Sequence, residues 1–190
     1  GQLIKNVPGD YSSIQAAIDA SVPGDTVRVA AGTYNEQARI NQYHGGICLE
    51  GAGIDQTIIT KSGDVGIYLE QASYIIVKNL TVKGSGAGGC CSMGGGIFTY
   101  SANNILIQSC RLTQNSAYNG GGLYANHTTN LTVDHCLIDN NHATHMVGGV
   151  YVEPASTGVF TNVTIVNNTA DHLIGGFGYA IDQGMSNRSL

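Results

Sequence analysis

Ile105-Leu-Ile-Gln-Ser-Cys-Arg-Leu112 and Leu131-Thr-Val-Asp-His-Cys-Leu-Ile138 place apolar and polar residues at the same offsets. Ile75-Ile-Val-Lys-Asn-Leu-Thr-Val82 precedes them and Gly158-Val-Phe-Thr-Asn-Val-Thr-Ile165 follows with the same alternation. The later three run into polar turns, Gln114-Asn-Ser-Ala117, Asn140-Asn-His-Ala143 and Asn167-Asn-Thr-Ala170. All four then reach a glycine run and a short strand: Gly96-Ile-Phe98, Gly122-Leu-Tyr124, Gly149-Val-Tyr151 and Gly176-Phe-Gly178. The step from Ile97 to Leu123 is 26 residues, and the next two, to Val150 and Phe177, are 27 each. Two-residue alternation inside a repeat of this length predicts three short strands per coil of an all-β parallel β-helix, since stacked helices would show a 3.6-residue rhythm.

Stacking the coils aligns equivalent residues into ladders about 4.8 Å apart. Ile75/Ile105/Leu131 and Val77/Ile107/Val133/Phe160 point inward from the first strand, and Leu80/Cys110/Cys136/Val163 and Val82/Leu112/Ile138/Ile165 from the second. Asn79, Ser109, His135 and Asn162 occupy the corner between these strands. Asn115, Asn141 and Asn168 form a further polar ladder whose amides can bond the next coil's backbone.

The composition agrees. Among 190 residues there are 27 Gly, 3 Pro and no Trp, which suits a fold of many tight turns and few helices. Eight basic against 13 acidic residues leave no basic stripe, so nucleic acid is not an expected partner. No apolar run reaches the roughly 18 residues of a membrane helix. The surface must be built from Asn, Thr, Ser, Gln and Gly, a composition associated with extracellular glycan-facing proteins. The five cysteines are Cys48, Cys90, Cys91, Cys110 and Cys136, with no metal-binding pair spacing. Cys110 and Cys136 read as a buried thiol stack; Cys90 and Cys91 read as exposed thiols, with a strained vicinal disulfide as the alternative. Six Asn-X-Ser/Thr sequons occur, including Asn126 and Asn187 as acceptors should the source glycosylate proteins.

The N-terminal third runs Val7-Pro-Gly-Asp-Tyr-Ser-Ser-Ile-Gln-Ala-Ala-Ile-Asp-Ala-Ser-Val-Pro-Gly-Asp-Thr-Val-Arg-Val29, then Gly32-Thr-Tyr-Asn-Glu36, Ile47-Cys-Leu-Glu-Gly-Ala-Gly53 and Thr57-Ile-Ile59. With the coils, it resembles the pectin-lyase-like superfamily over nearly the whole chain. The resemblance implies a right-handed β-helix capped at its N-terminal end by a short α-helix. Ser12 or Ser13 can N-cap that helix, which would bury Ile14, Ala17 and Ile18 and end at Pro23-Gly24. Residues 1–190 are then one domain: cap and first strands over 1–45, coils over 46–182 and a tail over 183–190. That tail is too short and polar to close the solenoid, so either the helix continues beyond it or another copy packs there.

The resemblance also implies where activity would sit, in a cleft along the outer face of the first sheet. A lyase there needs a base and neutralisation of the substrate's acid group, often by Ca²⁺. The outward ladder Glu50, Lys78, Gln108, Asp134, Thr161 offers one lysine and two separated acids, and the adjacent aspartates of a hydrolase are missing. Beside it runs an apolar column, Cys48, Ile76, Leu106, Thr132, Val159, whose Ile76, Leu106 and Val159 are candidates for a glycan surface or an interface between copies. The third strands carry Tyr68, Phe98, Tyr124 and Tyr151, flanked by Glu70, Tyr100, Asn126 and Glu153; these aromatics suit sugar stacking, an interface, or simple cross-strand packing. His145 and His172 fall in adjacent coils near Asp171 and His142, a weak Zn²⁺ or Cu²⁺ candidate without a fourth ligand. The sequence therefore favours a non-catalytic extracellular or cell-surface subunit, without cofactor, that assembles with itself as a homo-oligomer or filament and meets glycans. A lyase of acidic polysaccharide such as pectate or alginate, using Lys78, Glu50 and Asp134 with Ca²⁺, is the alternative.

Overall fold

In the computed structural model, residues 3–86 and 93–179 are described, Tyr179 by its backbone alone. The strands wind into a right-handed parallel β-helix. Sheet 1 has seven strands: Ile4–Val7, Thr26–Val29, Cys48–Gly51, Ser73–Lys78, Asn103–Gln108, Thr129–Asp134 and Gly158–Thr161. Sheet 2 has six, from Gly32–Asn35 to Thr164–Val166, and sheet 3 has six, from Ala38–Asn41 to Phe177–Tyr179. The alternation read from the sequence is the alternation of burial: Ile75, Val77, Ile105, Ile107, Leu131 and Val133 are fully or nearly fully buried, as are Leu80, Val82, Cys110, Leu112, Cys136 and Ile138. Phe160, Val163 and Ile165 of the last coil are only partly buried against the same core.

The coils carry more than three strands. Ser116–Asn119, His142–Met146 and Thr169–Ala170 form a fourth, three-stranded sheet in the turns read as polar loops. These turns are held by the asparagine ladder beneath them. Asn115 Nδ2 donates to Asn141 Oδ1 (3.0 Å) and Asn141 Nδ2 to Asn168 Oδ1 (2.9 Å), while each amide also reaches a backbone carbonyl, Val82 O and Leu112 O. The glycine runs follow from this ladder. A Cβ on Gly122 would stand 2.9 Å from Asn141 Nδ2 and 2.7 Å from Gly149 O, so no larger residue fits between the amide and the next coil.

Corner residues Asn79, Ser109, His135 and Asn162 have φ of 57, 51, 50 and 53°, the left-handed turn that Asn and Gly tolerate best. One coil departs from the pattern. Ala117 pairs with Ala143 but Asn119 pairs with Met146, so one extra residue is bulged into the fourth sheet and the repeat lengthens from 26 to 27. Val147 then stands where Gly120 stands one coil earlier, at φ +31° and buried.

The helix at the N-terminal end spans Ile14–Asp19, with Ser13 as N-cap and Ile14, Ala17 and Ile18 buried in the main core. It stops at Ala20, before Pro23-Gly24. Glu36 also serves it, accepting from the Ile14 and Gln15 N–H groups at 3.0 Å each. Gln15 pairs both ends of its amide with the Arg39 backbone (2.8 and 3.0 Å), satisfying part of the open edge of sheet 3. A strand, Ile4–Val7, precedes the helix and forms the edge of sheet 1. The tail at 183–190 lies outside the described residues, as do Asn187, Cys90 and Cys91.

Candidate functional site

Because successive side chains of a strand face opposite ways, the buried Val27, Leu49, Val77, Ile107 and Val133 force their neighbours outward on sheet 1. Two parallel columns result. The polar one runs Arg28, Glu50, Lys78, Gln108, Asp134, Thr161 in unbroken register. The apolar one runs Cys48, Ile76, Leu106, Thr132, Val159, with Ile76 36% and Val159 62% exposed. Arg28 belongs to the polar column although its strand lies in the N-terminal third, outside the regular repeat. The alternation of Thr26-Val-Arg-Val29 against Cys48-Leu-Glu-Gly51 was the signal that could have placed it.

The polar column is a chain of pairs. Glu50 takes Lys78 Nζ at 3.1 Å on one side and Arg28 Nε at 3.4 Å on the other. Gln108 Nε2 donates to Asp134 Oδ2 at 3.1 Å, and His135 Nδ1 lies 2.7 Å from Asp134 Oδ1. Hydrogen bonds from His135 and then Gln108 hold the Asp134 carboxyl below the usual carboxylate range, so it stands as an ionised acceptor. Asn162 Nδ2 also reaches it, at 3.5 Å. The corner residues His135 and Asn162 thereby extend the polar column sideways, a role their turn position alone did not suggest.

The lyase residues do not converge. Lys78 is engaged by Glu50, and Glu50 and Asp134 sit three strand spacings apart, about 14 Å at roughly 4.8 Å per strand. Two carboxylates that share one Ca²⁺ bring their oxygens within about 5 Å of each other, twice the metal–oxygen distance, and these two do not. Among the described residues, no three of His, Cys, Asp and Glu come together as a metal site. His145 and His172 are neighbours, with ring centroids 5.4 Å apart, but His145 stacks on Tyr118 and its Nδ1 faces Asn119 Oδ1 at 3.3 Å. Asp171 lies instead 3.7 Å from His142 Nε2.

The aromatic ladder of sheet 3 is present, and of the three readings its geometry favours cross-strand packing. Tyr68 and Phe98 lie parallel at 5.0 Å, Phe98 and Tyr124 at 5.1 Å, and Tyr124 and Tyr151 at 5.2 Å. The rings cover one another's faces, and the outer face of Tyr68 meets the Arg39 guanidinium 5.5 Å away. Tyr124 and Tyr151 are moreover buried, with Val147 packed on them. The Tyr124 hydroxyl donates to Glu153, and burial followed by that carboxylate pushes its pKa well above the ordinary phenol value. Asn126 Nδ2, the atom a sequon glycan would use, donates to the same hydroxyl at 3.2 Å. The column therefore binds its own coils together.

Residues 32–188 match the family described as "Right handed beta helix region". No curated protein matches the sequence. Among solved structures, the deglycosylated pectin methylesterase of Aspergillus niger superposes with a TM-score of 0.54 at 15% identity, over 96% of this chain and 81% of that one. A protein of Geobacillus virus E2 superposes with a TM-score of 0.53 at 16% identity, over 88% of this chain and 40% of the viral one. A pectin methylesterase in complex with a hexasaccharide gives 0.48 at 9% identity, over 84% of this chain and 66% of that one. The present chain thus spans less than two thirds of the length of the last two. At these identities the likeness is one of fold.

Proposed function

Since the chain belongs to the right-handed β-helix family, we propose that it is a non-catalytic extracellular module that holds a polysaccharide along the outer face of sheet 1. The observation that carries this reading is the pairing of two columns on one flat face. Gln108, Asp134, His135 and Asn162 offer donors and acceptors for hydroxyl groups, while Ile76 and Leu106 beside them offer an apolar strip for the C–H faces of sugar rings. The rise of one coil is close to the length of one pyranose unit, so successive rungs can meet successive sugars. The charges on this face are largely paired, which suits a neutral or weakly charged polymer better than a densely acidic one. That the Aspergillus protein of similar fold is a pectin methylesterase agrees with a glycan partner.

Affinity electrophoresis through gels containing neutral or acidic polysaccharides tests the reading, with absorbance of unsaturated products followed in parallel. Retardation on at least one polymer, kept by Lys78→Ala and lost by the double substitution Gln108→Ala and Asp134→Ala, is the expected result. Turnover of pectate or alginate that vanishes with Lys78→Ala would instead establish the lyase. A second reading, self-association through the same face, is favoured by the exposure of Ile76 and Val159 at two levels of one apolar column. A molar mass above that of one chain in sedimentation, reduced by Ile76→Ser with Val159→Ser, would support it.

A further inference from the structure

Cys110 and Cys136 occupy equivalent places in adjacent coils, immediately before the paired residues Arg111 and Leu137 of sheet 2. Neighbouring parallel strands hold such Cα atoms about 4.8 Å apart, inside the range a disulfide spans. Both thiols are free and buried, 0% and 3% exposed, in the apolar core. The Cys110 thiol lies within reach of the Gln108 and Val77 carbonyls (3.3 and 3.7 Å), and the Cys136 thiol within reach of those of Asp134 and Ile107 (3.3 and 3.6 Å). Cys48, by contrast, stands in the outward column of sheet 1 with no thiol beside it among the described residues.

We propose that Cys110 and Cys136 form an oxidation site, closing into a disulfide that fastens one coil to the next when the protein meets a small peroxide. The fold has already aligned the pair, so oxidation needs a shift of side chains rather than of strands. Access is short: each cysteine lies one residue inside the corner, behind Ser109 or behind His135, whose side chain is 62% exposed. A peroxide is small enough to enter on a local opening at this corner.

Cys136 is the attacking sulfur. It lies directly behind the exposed His135, where a peroxide arrives first, whereas burial pushes the Cys110 thiol up and keeps it protonated. Cys136 as thiolate attacks one oxygen of hydrogen peroxide; the O–O bond breaks, and the hydroxide released takes up the proton that Cys136 lost. The resulting sulfenic acid on Cys136 is attacked by Cys110 Sγ, forming the S–S bond and releasing a second water with the Cys110 proton. Two thiols are oxidised and one peroxide is reduced to two waters.

The test uses the full chain treated with a small excess of hydrogen peroxide, with and without urea at an unfolding concentration, followed by alkylation and peptide mapping. The proposal expects a Cys110–Cys136 linked peptide as the main oxidised product of the folded chain, and a clear loss of that preference in urea. It also expects C110S, which lacks the second thiol, to retain a Cys136 sulfenic acid that dimedone traps. Recovery of both cysteines as free thiols from the folded chain after such treatment would overturn the proposal. So would Cys136 sulfinic acid without linkage, or the same linked yield in urea. The wild-type map decides the matter even if C110S does not fold.

Discussion

Asn141 makes four hydrogen bonds from one buried amide: it accepts from the Asn115 N–H and Asn115 Nδ2 and donates to Leu112 O and Asn168 Oδ1. Replacement by Leu keeps most of the volume and strands these partners away from water. Each stranded group costs about 1–3 kcal/mol, so Asn141→Leu is expected to lower stability by at least about 2 kcal/mol. A denaturation midpoint equal to wild type would show that the turn does not depend on the ladder. A second buried polar group acts through pH. Asp139 is buried and takes Arg111 Nε and Nη2 at 2.9 Å each, and Arg111 is also 3.3 Å from Asp55. The hydrogen bonds from Arg111 hold the Asp139 carboxyl below its ordinary range. Its folded pKa is depressed, so its contribution is present above the unfolded value of about 4 and is lost as pH falls through the folded one. Asp139→Asn should therefore melt lower than wild type at pH 7, and the gap should narrow in melts taken near pH 2. A constant gap would remove Asp139 from the acid response.

At the scale of the strand, what the sequence discloses is periodicity, and periodicity fixes direction. Ile107 alternates with Gln108 and recurs with Val77 and Val133, and it is fully buried. Ile107→Asp puts an unpaired carboxylate into the core and should prevent cooperative folding at a cost of several kcal/mol. An unchanged melt would contradict the inward assignment. The same periodicity shows which residues share a column but not what covers them. Tyr124 reads as an outward aromatic, and it is outward with respect to the helix interior; the stacked rings of Phe98 and Tyr151 cover its faces and Val147 packs over the stack. The cause is written in the chain as a single extra residue between Ala143 and Val150 and as Val in place of the earlier Gly120. That change alters a turn rather than a strand, so alternation does not register it. The fourth sheet is illegible in the sequence for a like reason: Ser116–Asn119 and its partners are polar and Asn-rich, with the look of a loop, and their order comes from amides in neighbouring coils. Pairings such as His135 with Asp134 depend on rotamers, which no spacing reveals.

For the molecule as a whole, stacking fixes the geometry of its faces. Sheets 2 and 3 turn outward an ion-pair cluster around Arg111 and an aromatic ladder that are both satisfied within the chain. Sheet 1 combines an exposed apolar column with polar groups whose remaining hydrogen-bonding capacity faces solvent. The central claim, that a polysaccharide lies along sheet 1, is tested most directly by hydrogen exchange read by mass spectrometry, with and without a saturating oligosaccharide of the polymer that retards the protein. Protection is predicted in peptides covering Ser73–Lys78, Asn103–Gln108 and Thr129–Asp134 together with the corner from Asp134 to Cys136, and not in the strands of sheet 3. Protection confined to Ile97–Tyr100 and Leu123–Asn126, with sheet 1 unchanged, would contradict the claim.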